Sequence, residues 1–160
     1  LRWMAPFLSF TAEEAWKLFG QSASICLETF QTLPAGDAAL LAKWQRLRAI
    51  RDAVNKEIEN VRTSGAVGSS LQAVVTLTAA PEDHALLAGL GEDMKFVFIV
   101  STTNLVAGDA LQISVTASSD QKCERCWHYR ADVGSNPAHP TLCARCDSNL
   151  HGAGETRVHA

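Results

Sequence analysis

The sequence predicts an α+β protein made of several small modules: the remnant of a helical bundle, a small β-α-β-β unit and a cysteine-held tail. Three observations carry that reading. Between residues 37 and 62, apolar side chains recur at three- and four-residue steps, the pattern of an amphipathic helix. From 71 to 116 the pattern changes to short β-branched runs separated by a proline-led helical stretch. Beyond 120 few large apolar residues remain, and four of the five cysteines fall into two close pairs.

The bulk numbers fit this picture. At 160 residues, with 47% apolar and 19% charged side chains, the chain is long enough to bury a core and too apolar to be disordered throughout. The longest clean apolar run, Phe96–Val100, is far shorter than the ~20 residues of a membrane-spanning helix. No segment joins a basic start, an apolar centre and a small-residue cleavage site, so no membrane partner or secretion is expected. The chain opens at Leu1 within an apolar, helix-like stretch and without an initiator methionine, and is expected to be the interior of a longer protein.

Taken in order, residues 1–36 read as helical with breaks. Thr11 and Glu14 have the spacing of a capping box, Trp16, Leu18 and Phe19 supply apolar surface, and Gly20 is placed to close the helix. Asp37 is the expected N-cap of the next helix, Asp37–Arg62, whose stripe is Leu40, Trp44, Leu47, Ile50, Val54, Ile58 and Val61. A small, polar, glycine-bearing linker at 63–70 ends it. Strands are then expected at Leu71–Ala79, Phe96–Val100 and Leu111–Thr116, with a helix opened by Pro81 and running to about Leu90 over one face of the sheet. This gives three modules: 1–36, 37–119 and 120–160.

The tail reads Cys123-Glu124-Arg125-Cys126 and, after sixteen residues, Cys143-Ala144-Arg145-Cys146. Each Cys-x-x-Cys turn sets two sulfurs on one side of a tight loop. Two such turns facing each other present four sulfurs at the corners of a tetrahedron, and this spacing is that of zinc sites. Four cysteine ligands leave no open coordination position, so one structural Zn2+ is expected in a four-cysteine zinc ribbon. Two disulfides are the alternative, and they require an oxidising compartment. His128, His139, His151 and His159 lie near the pairs in sequence but are not expected to replace a cysteine. Cys26 reads as a small apolar filler.

The net charge of −3 argues at first against a nucleic-acid partner, yet it is unevenly spread. Residues 43–62 hold six basic and three acidic side chains, whereas 63–119 hold one and five. On the helix, Arg48, Arg51, Asn55 and Arg62 fall along one edge of the stripe, a set suited to a phosphate backbone. Lys43 and Arg46 lie across the stripe. A solvated face with pairs such as Asp52–Lys56 is the plainer reading of the helix alone. In the tail, Arg125 and Arg145 each precede the second cysteine of a pair. They are placed to neutralise a dianionic four-thiolate centre, to face a phosphate, or both. Trp127, Tyr129 and Arg130 complete an aromatic–arginine cluster that can stack on unpaired bases, although the plainer role of Trp127 is to cover a ribbon with little else to bury.

Particular strings add to this. Arg2-Trp3-Met4-Ala5-Pro6-Phe7-Leu8-Ser9-Phe10-Thr11-Ala12-Glu13-Glu14 resembles the anticodon-binding region of class I aminoacyl-tRNA synthetases of the isoleucine, valine and leucine branch. Leu47-Arg48, Arg51, Val54-Asn55-Lys56 and Gly68-Ser69-Ser70-Leu71 resemble the next elements of the bacterial isoleucyl-tRNA synthetases. Lys122-Cys123-Glu124-Arg125-Cys126-Trp127-His128-Tyr129, Asp132-Val133-Gly134 and Leu142-Cys143-Ala144-Arg145-Cys146 resemble that family's C-terminal zinc module.

The resemblance implies an ATP-dependent ligase that esterifies isoleucine to tRNA(Ile), with this region binding the anticodon stem-loop and packing on the remainder of the synthetase. It implies Cys123, Cys126, Cys143 and Cys146 as zinc ligands and a monomeric, cytoplasmic protein. The His-x-Gly-His and Lys-Met-Ser-Lys-Ser elements of the class I catalytic domain are absent, so ATP and Mg2+ belong to a region outside this chain, and no catalytic residue is expected here. The tail from Gly152 looks like a natural end of the family. Two other readings stay open: the zinc finger of a formamidopyrimidine-type DNA glycosylase, and a zinc-ribbon protein-interaction module. The former usually has Gly after the second cysteine and Gln after the fourth, where this chain has Trp127 and Asp147.

Overall fold

The computed structural model describes residues 1–156. It contains a compact unit, Leu1–Asp37, and a second that begins at Ala38. In the first, helix α1 spans Ser9–Leu18, and Thr11 lies inside it. The expected capping box is therefore not formed. The chain is already turning upstream, with the Leu8 amide on the Met4 carbonyl (2.8 Å), and the Ser9 hydroxyl donates to the Ala5 carbonyl. The helix thus starts two residues before Thr11. Gly20, at φ +77°, closes it as expected, its amide donating to the Lys17 carbonyl. Glu13 accepts from the Ser24 hydroxyl (2.9 Å) and the Ile25 amide (2.8 Å), which ties the short 25–27 turn back to α1.

In the second unit, α2 runs over Ala38–Thr63, and its apolar stripe packs inward: Leu47, Ile50, Val54 and Ile58 are buried. Trp44 is partly buried against the same core. Strand β1 (Ala73–Ala79) follows with strict alternation, Ala73, Val75, Leu77 and Ala79 facing in. Pro81 opens α3 (Pro81–Ala88), where its missing amide hydrogen costs nothing.

The expected strand at Phe96–Val100 is corrected. Met94–Phe98 is a short helix, α4, and it ends at Ile99 with φ 56° and ψ 52°. A five-residue apolar run fits a buried helical turn as well as a buried strand. Here Met94 and Phe98, four apart, both reach the core from one helical face. The strand comes just after, as β2 (Thr102–Ala107), and β3 is Gln112–Ala117.

Central β1 pairs parallel with β2 (Leu77 opposite Leu105) and antiparallel with β3 (Leu77 opposite Ile113), giving the order β2-β1-β3. The anticipated β-α-β-β unit is present, with one strand moved. The remaining described residues form a cysteine module. Its hairpin is a single bridge, Lys122 opposite Tyr129, and its second half is helix α5 (Ala144–His151). Among the described residues, no helix is long and apolar enough to cross a membrane.

Candidate metal centre

The two cysteine pairs reach one another because each is set in a hydrogen-bonded turn. In the first, the Trp127 amide donates to the Cys123 carbonyl (2.9 Å) and the Cys123 amide to the His128 carbonyl (2.9 Å). In the second, Cys143 caps α5, so Cys146 sits one turn into the helix, and the Asp147 amide donates back to the Cys143 carbonyl. The Glu124 amide on the Thr141 carbonyl (3.2 Å) ties the halves together. Gly134, at φ +78°, lets its loop pass close to Pro140; a Cβ there would lie 3.0 Å from the Pro140 carbonyl oxygen.

One sulfur from each of Cys123, Cys126, Cys143 and Cys146 lies within 4.8 Å of all the others. Cys123, Cys143 and Cys146 are buried, Cys126 is partly buried, and no disulfide joins them. The Cys126 and Cys143 sulfurs are 3.8 Å apart. A tetrahedron of Zn–S bonds near 2.3 Å has edges of about 3.8 Å, so this pair already stands at ligand spacing.

The electrostatics point the same way. Burial pushes the Cys123 thiol up, but the amides of Cys126, Cys143 and Arg125 facing its sulfur outweigh that and bring it down to about 6. Burial raises Cys126, and burial with neighbouring sulfurs pushes Cys143 up to about 12. Four thiolates packed this closely repel one another. A divalent cation is what lets them ionise together, and the Arg125 guanidinium adds positive charge, donating to the Cys146 sulfur at 3.5 Å.

The second knuckle arginine does otherwise. Arg145 lies over the Phe96 ring, 4.9 Å from its centroid, and pairs with Glu155 at 3.3 Å. Phe96 also meets His128 edge-on at 5.7 Å. Burial lowers the His128 pKa, so the protonated ring is disfavoured there. Beside them, buried Ser101 donates its hydroxyl hydrogen to the Leu71 carbonyl and accepts from the Tyr129 amide (2.6 Å). Phe96 and Ser101 therefore dock the module on the sheet, a role sequence reasoning missed. Nothing local marks it, because Phe96 lies within the segment expected as a strand and Ser101 directly follows it.

The sequence-predicted contact residues are only partly brought together. Arg130 is held by Asp132 through two 2.9 Å bonds and is partly buried. Trp127 does not pack over the module. It is 59% exposed, at φ +65°, with the Lys122 ammonium 5.3 Å from its ring centroid. Lys122 was not anticipated, although it flanks the first cysteine. On α2, Arg48 and Asn55 are exposed and Arg51 is partly buried, its Nε shielded from solvent and without a hydrogen-bond partner among the described residues. Arg62 is tied to Glu59 at 2.8 Å, and Arg46 makes a two-point bond to Asp83 (2.7 and 2.5 Å). The Asp52–Lys56 pair is not formed among the described residues.

Residues 120–149 match the model of a zinc finger found in FPG and IleRS, and residues 1–77 match that of an anticodon-binding domain of tRNA ligases. Over its whole length the chain is 55% identical to an isoleucine–tRNA ligase of Cupriavidus pinatubonensis. It is 52% identical over its whole length to isoleucine–tRNA ligases of Thiobacillus denitrificans and Bordetella pertussis. Together these matches support reading the chain as a segment of an isoleucine–tRNA ligase. The chain spans 18% of the length of these relatives. The finger by itself is shared with the glycosylase group, but the upstream match to an anticodon-binding domain disfavours that alternative. A four-sulfur set in a finger of this family fits structural Zn2+.

Proposed function

We propose that this segment is the tRNA-gripping, C-terminal part of an isoleucine–tRNA ligase, an enzyme that activates isoleucine with ATP and esterifies it to tRNA(Ile). In this reading residues 1–36 finish the anticodon-binding helices, 37–119 form a junction, and 120–160 form the zinc module. Cys123, Cys126, Cys143 and Cys146 hold one structural zinc, and the chemistry with ATP and Mg2+ takes place elsewhere in the enzyme. The partner is the anticodon stem-loop of tRNA(Ile), met by a monomeric cytoplasmic protein.

The observation that carries the RNA contact is Trp127. A bulky side chain in the left-handed region costs roughly 1–2 kcal/mol, and this one is 59% exposed with a lysine beside it. Strain of this kind is retained where a side chain has to be presented. A flat, exposed indole with the Lys122 ammonium over its ring is the combination that stacks on an unpaired base and neutralises the adjoining phosphate. Arg48, Arg51 and Asn55 offer a second contact along α2. The engaged Arg62, Arg130 and Arg145 contribute less, since each must leave a carboxylate to reach RNA.

Titration with tRNA(Ile) and with abasic duplex DNA at several salt concentrations tests the reading. tRNA is expected to bind more tightly, with log K falling by roughly 0.7–0.9 per log unit of salt for each phosphate neutralised. Replacing Arg48 and Arg51 by alanine is expected to lower that slope by about 1 for each phosphate that the guanidiniums no longer neutralise. Equal affinity for the two nucleic acids, or no salt dependence, refutes it and leaves a protein-interaction module.

A further inference from the structure

Beyond the four cysteines, the same module gathers a second set of donor atoms that the zinc centre does not use. His139 lies in the loop before Cys143, while Asp147 and His151, four residues apart on α5, share one helical face. The His139 Nε2 is 3.8 Å from the Asp147 Oδ1, and one donor atom from each of the three residues lies within 4.8 Å of the others. The two imidazoles are stacked, with centroids 3.9 Å apart and planes 8° from parallel.

The carboxylate between them is held and incompletely satisfied. Asn136 donates from Nδ2 to the Asp147 Oδ2 at 3.0 Å, which fixes its orientation. The other oxygen, Oδ1, is sealed from solvent and has no hydrogen-bond partner among the described residues. Shielding such an oxygen from water without a hydrogen bond is unfavourable, and a bound cation relieves it.

We propose that His139, Asp147 and His151 form a second divalent-metal site, for a cation of the Zn2+ or Ni2+ class. Two imidazoles with one carboxylate suit these borderline ions, whereas Ca2+ and Mg2+ require a fuller shell of oxygens. The asparagine on the outer carboxylate oxygen is the supporting contact that ligating carboxylates carry. An imidazole lone pair lies in its ring plane, so two parallel rings cannot both point at one ion. His151, the exposed last residue of α5, is the ring that turns. Three protein ligands leave a coordination position open, unlike the closed cysteine centre. The ion cross-links the 136–139 loop to α5.

The test begins with the chain carrying one equivalent of zinc at its cysteines, titrated by calorimetry with Zn2+ and, separately, with Ni2+. A second, weaker equivalent is expected for the native sequence, accompanied by shifts of the His139 and His151 ring resonances in NMR spectra. His151→Ala and His139→Gln are each expected to weaken that equivalent by at least about tenfold, leaving the first equivalent in place. His151 is exposed, so its loss does not threaten folding, and the melting temperature of the zinc-loaded variant confirms this. A native chain that stops at one equivalent overturns the proposal. So does a His139→Gln/His151→Ala double variant that still takes the second.

Discussion

Trp127 and Asp83 show two opposite uses of a single side chain. At Trp127 the backbone is held at φ +65°, where glycine carries no steric penalty, so the indole is kept at the expense of local stability. Trp127→Gly is expected to leave the zinc-loaded chain as stable or up to about 1 kcal/mol more stable, because the indole it removes is mostly exposed. The same change is expected to weaken tRNA binding by about 1–3 kcal/mol, the worth of one stacked base. Paired thermal melts and binding titrations check both. A variant that loses stability and keeps affinity gives the tryptophan a packing role instead.

Asp83 is buried, and its hydrogen bonds from Arg46 hold its carboxyl below the usual carboxylate range. A depressed folded-state pKa contributes stability that is present above the unfolded value, about 3.9, and is lost as the pH falls through the folded one. Arg46 is half exposed, which screens the pair and limits its worth to about 1 kcal/mol. Asp83→Asn is expected to be destabilised by about that amount at neutral pH and to show a shallower loss of stability below pH ~4. Denaturant midpoints measured across that range test the sign.

At the scale of elements, α2 is the piece on which the sheet is built. Its buried face, Leu47, Ile50, Val54 and Ile58, joins the inward face of β1 in one core with Leu87, Phe98 and Val100. Ile50→Ala removes a fully buried side chain from the middle of that face and is expected to cost about 2–5 kcal/mol, measurable by urea denaturation. The helix was legible because a 26-residue amphipathic repeat leaves little ambiguity. Strand β1 was legible through its strict alternation. The segment 94–100 was not. Its apolar run satisfies either period, and Ile99 takes a backbone region that a β-branched residue rarely occupies, so no local preference announces the turn. The true strand, Thr102–Ala107, is half polar because it lies at the sheet edge with only β1 beside it.

At the scale of the molecule, the sheet core and the cysteine cluster are separate, and among the described residues only Val133 and Leu142 pack on the cluster besides cysteine. So small an apolar set cannot offset the entropy of ordering its chain, and the metal has to supply the difference. Zinc binding is worth about 10–16 kcal/mol in finger peptides. Chelation is expected to abolish hydrogen-exchange protection of α5 and the 122–130 turn while leaving that of α2 and β1 unchanged. Elemental analysis before chelation is expected to find at least one zinc per chain. Protection retained in the metal-free chain removes the structural role.

By itself the sequence determined the pieces whose signal is local: the long helix, the β-α-β-β order, the spacing of the four cysteines and the charge on α2. Those follow from periodicity, β-branching and ligand spacing, which neighbouring residues in the chain are enough to express. Tertiary structure alone decided which of the arginines are already engaged, that Trp127 stands outward, and that Phe96 and Ser101 dock the zinc module on the sheet. It also decided that His139, Asp147 and His151 converge. The reason is that a side chain's partner is set by distance in space. Arg46 with Asp83, or Arg145 over Phe96, is joined across a separation at which sequence patterns carry no information.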